Sequence, residues 1–380
     1  MIMPISIAAA TLVLVVLAAL GVLVLRRNMH LWLWPYLKGV LRRRSGPKAA
    51  LTHVYFCFAD HFEPYWNRAD QVLARQRVRR WTERYPVLAS RHRDSDGRMP
   101  RHSFFYPEEE YDPEILDALA RLCREGFGDV EVHLHHDNDT AENLCQTLER
   151  FKAVLFTKHG LLRKSAESGK IEYCFIHGNW ALDNSRPDGR WCGVCDEISV
   201  LVKTGCRTDM TMPSAPSDTQ TRKINSIYFA RGHAGRCKSH DDGRDAAVGE
   251  WGRPDELLLV QGPLALNWAN RKLGLVPRIE SGEISCDAPP NARRVRLWGD
   301  CRIGVEGAPE HVFIKAHTHG TEDRTTDMLL GDGLETLWRE LEAAYRDRPG
   351  FALHYVTAWE MYEKIRQIAG RPENSDCAAG

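Results

Sequence analysis

Three separate apolar runs in this chain end in imidazole and carboxylate groups, and that repetition limits the folds open to it. Val54 to Ala59 is followed by Asp60, His61, Phe62 and Glu63. Val130 to Leu134, interrupted by Glu131 and His133, continues into His135, His136, Asp137 and Asp139. Val312 to Ala316 leads into His317, Thr318 and His319 before Gly320 turns the chain. Short apolar runs bounded by turn signals read as buried strands. Imidazole and carboxylate bind divalent metals and carry protons. Strands that deliver such groups at their carboxyl ends point to one site on the rim of a parallel sheet or barrel.

Strand and helix patterns alternate through the rest of the chain. Strands are expected at 52–59, 103–106, 129–135, 171–176, 206–212, 224–230, 257–261, 311–316 and 351–356, with helices between them. Asp112-Pro113-Glu114 begins a helix with a cap, a proline in the first turn and an acid beside it. Asp139-Thr140-Ala141-Glu142 fits a capping box for the helix after the second run. The rhythm breaks between 232 and 300, which reads as a large insertion, and 371–380 as a flexible tail. Repeated βα units over 51–370 predict an α/β fold, a distorted (β/α) barrel closed or nearly closed, with helices outside.

Residues 1–25 are expected to form a transmembrane anchor. The run from Ile2 to Leu25 carries no charge, and a bilayer needs roughly 20 such residues. Residues 26–50 then read as a basic interfacial linker, since 26–48 hold seven Lys or Arg and no acid. Trp32, Trp34 and Tyr36 are expected to lie at a lipid surface. Charge after the run, not before it, argues for a retained single-pass anchor in a bacterial inner membrane. The positive-inside tendency places the remainder in the cytoplasm, with a periplasmic location as the alternative.

Over the whole chain, 51 basic and 51 acidic residues cancel, which excludes recruitment of nucleic acid by a global field. The eleven cysteines lack small-domain spacing and favour a reducing compartment. Cys57, Cys123 and Cys174 read as packed small hydrophobes, and the lone Cys192-Gly193-Val194-Cys195 as structural.

His133 and His135 are two apart and share one side of their strand, while His136 faces the other way and reads as structural. His317 and His319 also share a side and are expected to protonate a leaving group or bind substrate. Asp60 is a candidate for metal binding or catalysis. His177, Asn179, Trp180 and Asp183 follow a buried strand in the manner of a sugar-binding loop, with Trp180 as a stacking surface. Asp209 is a candidate partner for a histidine. Lys238 to Asp241 form either a lid or a solvated loop.

These motifs resemble the polysaccharide deacetylase superfamily, in a divergent form associated with exopolysaccharide loci. Phe58-Ala59-Asp60 stands where that family has its aspartate motif, Glu131-Val132-His133-Leu134-His135 where its histidine motif begins, and His317 or His319 where its late histidine falls. The resemblance covers roughly 50–370 in order of elements. It implies a metal-dependent hydrolase that removes N-acetyl groups from a glycan or lipid-linked saccharide, with the exopolysaccharide synthesis machinery as a possible partner. It implies a divalent metal, zinc first, on Asp60, His133, His135 and Asp139. Ala59 replaces the family's basic aspartate, so the base passes to His61 or Glu63 or is lost. Asp139 replaces its second histidine, and Arg186-Pro187 is a weak match to a later motif. Two other readings stay open: an inactive barrel that binds a polysaccharide or a synthase, and another metal-dependent hydrolase of glycans or phosphoesters.

Overall fold

A computed structural model describes residues 3–45 and 50–370, as backbone alone at 3–9, 16 and 42–45. The expected tail at 371–380 lies outside the described residues.

Two helices come first, α1 (Met3–Arg26) and α2 (Leu33–Ser45). The sheet begins at β1 (Thr52–His61), followed by α3 (Gln71–Ala89), β2 (His102–Pro107), α4 (Pro113–Arg124) and β3 (Gly128–Leu134). Next come α5 (Ala141–His159), the short β4 (Arg163–Lys164), β5 (Ile171–His177), α6 (Glu197–Thr204) and β6 (Cys206–Asp209). The irregular stretch holds β7 (Ile227–Arg231), β8 (Arg244–Asp245), β9 (Glu256–Val260), the hairpin β10 (Ala265–Lys272) and β11 (Val276–Glu280), and α7 (Ala292–Asp300). The chain closes with β12 (His311–Thr318), α8 (Asp323–Met328), α9 (Leu334–Leu341), β13 (Phe351–Tyr355) and α10 (Ala358–Ala369).

Local chemistry explains the main helix starts. Asp112 caps α4 by accepting from Glu114 and Ile115 amides, as its sequence predicts. For α5 the cap is Thr140, whose hydroxyl accepts from Asn143 N, and not Asp139. Thr357 and Glu360 form a capping box on α10.

The strand order is β12-β1-β2-β3-β5-β6-β9-β7-β8, with β13 added to β1 and β4 to β5. The ladders from β12 through β9 are parallel, whereas β7 runs antiparallel to β9. The expected barrel is not what forms, because among the described residues no strand ladder joins the two ends of this order. The irregular stretch from β7 to β9 helps explain why: these strands extend the sheet beyond β6 instead of returning to β12. Across the gap, the buried Lys315 amine on β12 donates to the carbonyls of Met210 (2.5 Å) and Met212 (2.7 Å) after β6. The backbone at Glu283 pairs with His317 as an isolated bridge. A side chain and one bridge thus stand where a closed barrel would have a full ladder.

Alternation along β1 sorts its residues. Val54, Phe56 and Phe58 pack into the hydrophobic cluster that holds Val78, Trp81 and Leu88 of α3. Tyr55, Cys57 and Ala59 join a second cluster with Phe105, Ile176 and Phe313. The first we call the helix face and the second the inner face. Parallel register carries the division across the sheet, since Ala59 pairs with His317 and Pro107 with His133, whereas Leu134 pairs with His177.

The N-terminal expectation is corrected. No helix among the described residues is long and apolar enough to cross a membrane, so the single-pass inner-membrane placement is not supported. Trp32 and Tyr36 are not at a lipid surface either. Both are buried in the inner cluster, while Trp34, Leu37 and Leu41 on the same segment are exposed. Burial of these two aromatics explains why the basic segment docks on the sheet domain.

Candidate metal centre at the sheet rim

The first strand supplies His61 and Glu63, whose side chains enter the site from the end of β1. His133 follows from the inner face of β3, and His135 and His319 lie just past the ends of β3 and β12. One Glu63 carboxylate oxygen, Oε1, lies 3.4 Å from His133 Nε2, 3.8 Å from His135 Nε2 and 4.0 Å from His319 Nε2. His61, Glu63 and His133 each offer a ligand atom within 4.8 Å of the others. The His61 ring centroid is 4.7 Å from that of His319 and 5.0 Å from that of His133.

The hydrogen bonds set which nitrogens are free. His133 Nδ1 donates to the carbonyl of Ile176 at 2.7 Å. His135 Nδ1 lies 2.5 Å from Glu109 Oε1. Each ring therefore holds a proton on Nδ1 and turns Nε2, the nitrogen open to a metal, toward Glu63. His133 Nε2 is buried, and its 3.4 Å approach to Glu63 is not angled as a hydrogen bond. A carboxylate oxygen faces that nitrogen, an arrangement that a shared cation, proton or metal, satisfies. Ligand atoms on a tetrahedral zinc with bonds of 2.0–2.1 Å sit about 3.3 Å apart. The donor set and spacing fit a divalent ion, with Glu109 in the orienting position behind His135.

Burial alone would raise the Glu63 pKa, but His133, then His319 and His135, outweigh it and hold the carboxyl below its ordinary range. Burial, followed by the surrounding histidines, pushes His61 well below the usual imidazole range. His317 is lowered likewise by burial and by Lys315, and its Nδ1 has no hydrogen-bond partner.

Two tryptophans flank this cluster. Trp180 lies 5.9 Å from His61 and 5.8 Å from His319, and the exposed Trp66 lies 5.4 Å from His319, as ring centroids. Trp180 and Asn179 both adopt left-handed backbone with φ 54°, rare for a bulky ring, so a tight turn aims the indole at the site. Gly178 is required beneath it, because a Cβ there would meet the His135 ring at 2.2 Å.

Several expected residues go elsewhere. Asp60 lies on the helix face of β1. Its carboxylate meets His102 Nε2 at 2.8 Å and accepts from Gly320 N at 2.6 Å, beside Trp81. Strand alternation makes this unavoidable once His61 points inward. Asp139 takes Thr140 N, Asn143 Nδ2 and His136 Nδ1 as neighbours, and so sits behind the rim. His177 also turns to the helix face. Asn179 is half-buried at the rim. Asp183 is buried, accepting from Ser239 N at 2.7 Å, and burial raises its pKa to about 7. Asp209 is held by Thr211, with burial likewise raising it to about 7. Lys238 to Asp241 are neither lid nor solvated loop, for Ser239 and His240 are buried and docked through Asp183. Cys195 and Cys237 form a disulfide, which speaks against a uniformly reduced chain.

Sequence reasoning missed Glu109 as a site residue. Its signal was the Glu108-Glu109-Glu110 run directly after a strand, an acid cluster where a solvated turn would serve equally well. A further trio, Asp94, Asp96 and His354, lines a cavity of about 630 Å³ at the opposite end of β1. Asp94 there is already engaged by the amides of Asp96, Arg98 and Tyr355, so it serves as a turn cap.

No family model matches the chain, and no curated protein does. The solved structure of an alpha-mannosidase from Enterococcus faecalis V583 is similar to 85% of this chain, with a TM-score of 0.43 and 8% identity. The likeness covers 30% of that protein, so the chain spans less than a third of its length. At this level of similarity neither fold nor activity transfers.

Proposed function

We propose that the chain is a metal-dependent hydrolase that removes N-acetyl groups from a glycan or lipid-linked saccharide, in the manner of a divergent polysaccharide deacetylase. One observation carries the reading: three imidazole Nε2 atoms converge on Glu63 Oε1 within 4.0 Å. Glu63, His133, His135 and His319 would hold the ion, with His61 beside them. Zinc is the first choice for an imidazole-rich set, and when bound it supplies a Lewis acid and a water of lowered pKa. Glu109 fixes the His135 ring. With His319 on the ion, proton transfer to a leaving amine would fall to His317, which burial keeps neutral at rest and which would first take up the proton of the attacking water. Trp180 and Trp66 offer faces on which a sugar ring can stack. Exopolysaccharide synthesis is the setting we favour.

A second reading rests on Asp60. Its carboxylate is committed to His102 and Gly320, and Ala59 supplies none, so β1 carries no spare base between Phe58 and His61. That favours a module that binds saccharide without cleaving it. The test is acetate release from an N-acetylated oligosaccharide by the metal-loaded full chain. Metal-dependent release supports the hydrolase. Saccharide binding without release supports the module, and metal uptake without either points to a different hydrolase.

A further inference from the structure

A second cluster lies behind the rim, on the helix face of the sheet. His136 comes from the turn after β3, His177 from the end of β5, Cys192 from the following loop and Glu197 from the first turn of α6. Each offers a ligand atom within 4.8 Å of the others. Glu197 Oε1 lies 3.2 Å from His136 Nε2 and 3.4 Å from His177 Nε2, and Cys192 Sγ lies 3.5 Å from Glu197 Oε2.

His136 Nε2 donates to Glu197 Oε1, and the His177 ring leaves a lone pair pointing inward. His177 Nδ1 donates to the Gly178 carbonyl at 2.5 Å, so its Nε2 carries no proton. That atom is fully buried, has no hydrogen-bond partner and faces a carboxylate oxygen. Such a contact between two acceptors is unfavourable unless a cation sits between them. His136 Nδ1 lies 3.0 Å from Asp139 Oδ2, a carboxylate behind a ligand imidazole. Val194 N donates to Cys192 Sγ at 3.4 Å, and the thiol donates to Glu197 Oε2 at 3.5 Å, a proton that a metal would displace. The loop is shaped for this. Gly193 has φ 96°, and a Cβ there would meet Asp139 N at 2.6 Å.

We propose that His136, His177, Cys192 and Glu197 form a second, closed metal centre that takes zinc and locks the rim. Four protein ligands with no open position make a structural site. His177, Cys192 and Glu197 have no exposed surface, which excludes substrate. The centre ties together the segments that carry His135 and Trp180. It also divides the CxxC: Cys192 serves the metal, while Cys195 pairs with Cys237.

The test uses cobalt in place of zinc in the full chain. Only this centre contains a cysteine, so only it can give a near-ultraviolet thiolate-to-cobalt charge-transfer band. We expect the band in the wild type, its loss with one metal equivalent in Cys192→Ser, and its persistence in His133→Ala. Cys192→His should keep the metal and lose the band. Should Cys192→Ser fail to fold, zinc X-ray absorption of the wild type decides by the presence of one sulfur neighbour. A wild type without band or sulfur neighbour overturns the proposal and leaves a buried hydrogen-bonded His–Glu network. The rim reading is judged separately, through His133→Ala.

Discussion

His135 and His136 are adjacent in the chain, yet they serve clusters on opposite faces of one sheet. The inner cluster is open: the side chains of His135 and His319 keep 31% and 24% of their surface, and two tryptophans stand beside them. The cluster on the helix face is shut, with a thiol replacing one imidazole and α6 as its lid. The donor atoms are similar, so exposure separates their roles. An ion that solvent and substrate can reach is suited to reaction, and one sealed by four protein ligands is suited to holding loops together. The shared turn at 135–136 means that the second can stiffen the first.

The comparison can be broken most severely at His133. His133→Ala is expected to cost more activity than the roughly 10–100-fold loss typical of outer partners, with thiolate–cobalt absorption unchanged. Equal loss of both signals would mean that the clusters are one unit. Glu109→Gln should weaken metal binding at the rim by about 10–100-fold, measured by competition with a chelator, since it orients His135 without touching the ion. An unchanged affinity would remove Glu109 from the site.

Asp60 sharpens the contrast from the other side. Asp60→Asn should lower unfolding stability by about 1–3 kcal/mol in denaturant titration, because it weakens the buried contacts with His102 and Gly320. Metal content should stay at the wild-type level, and loss of an equivalent would restore Asp60 as a ligand. A separate effect, read as a slope against pH, concerns Asp209, whose pKa burial raises from 3.8 to about 7. The folded protein holds a proton that the unfolded chain has released, so stability falls as pH rises between about 4 and 7. Asp209→Asn should flatten that decline, by at most about 1.4 kcal/mol per pH unit, in denaturation series across the window. An unaltered slope would place the proton elsewhere.

Much of the secondary structure was legible because its causes are local. The apolar runs became β1, β3 and β12, Asp112 capped α4, and the two-residue spacing of His133 and His135 sent both toward Glu63. Other readings failed where a residue had two local explanations. Asp60 suited a rim ligand equally well before the face of β1 was known, and Asp139 suited a cap that Thr140 took instead. Trp32 and Tyr36 had the composition of a lipid-facing segment and the burial of a core.

The sequence by itself determined which strands end in metal-binding chemistry and which side chains alternate together, because period and capping act over a few residues. Only the tertiary structure decided that the sheet stays open, that Asp60 turns to the helices, and that His136, His177, Cys192 and Glu197 meet. Those outcomes depend on register between strands and on how loops close over tens of residues, which no local pattern encodes.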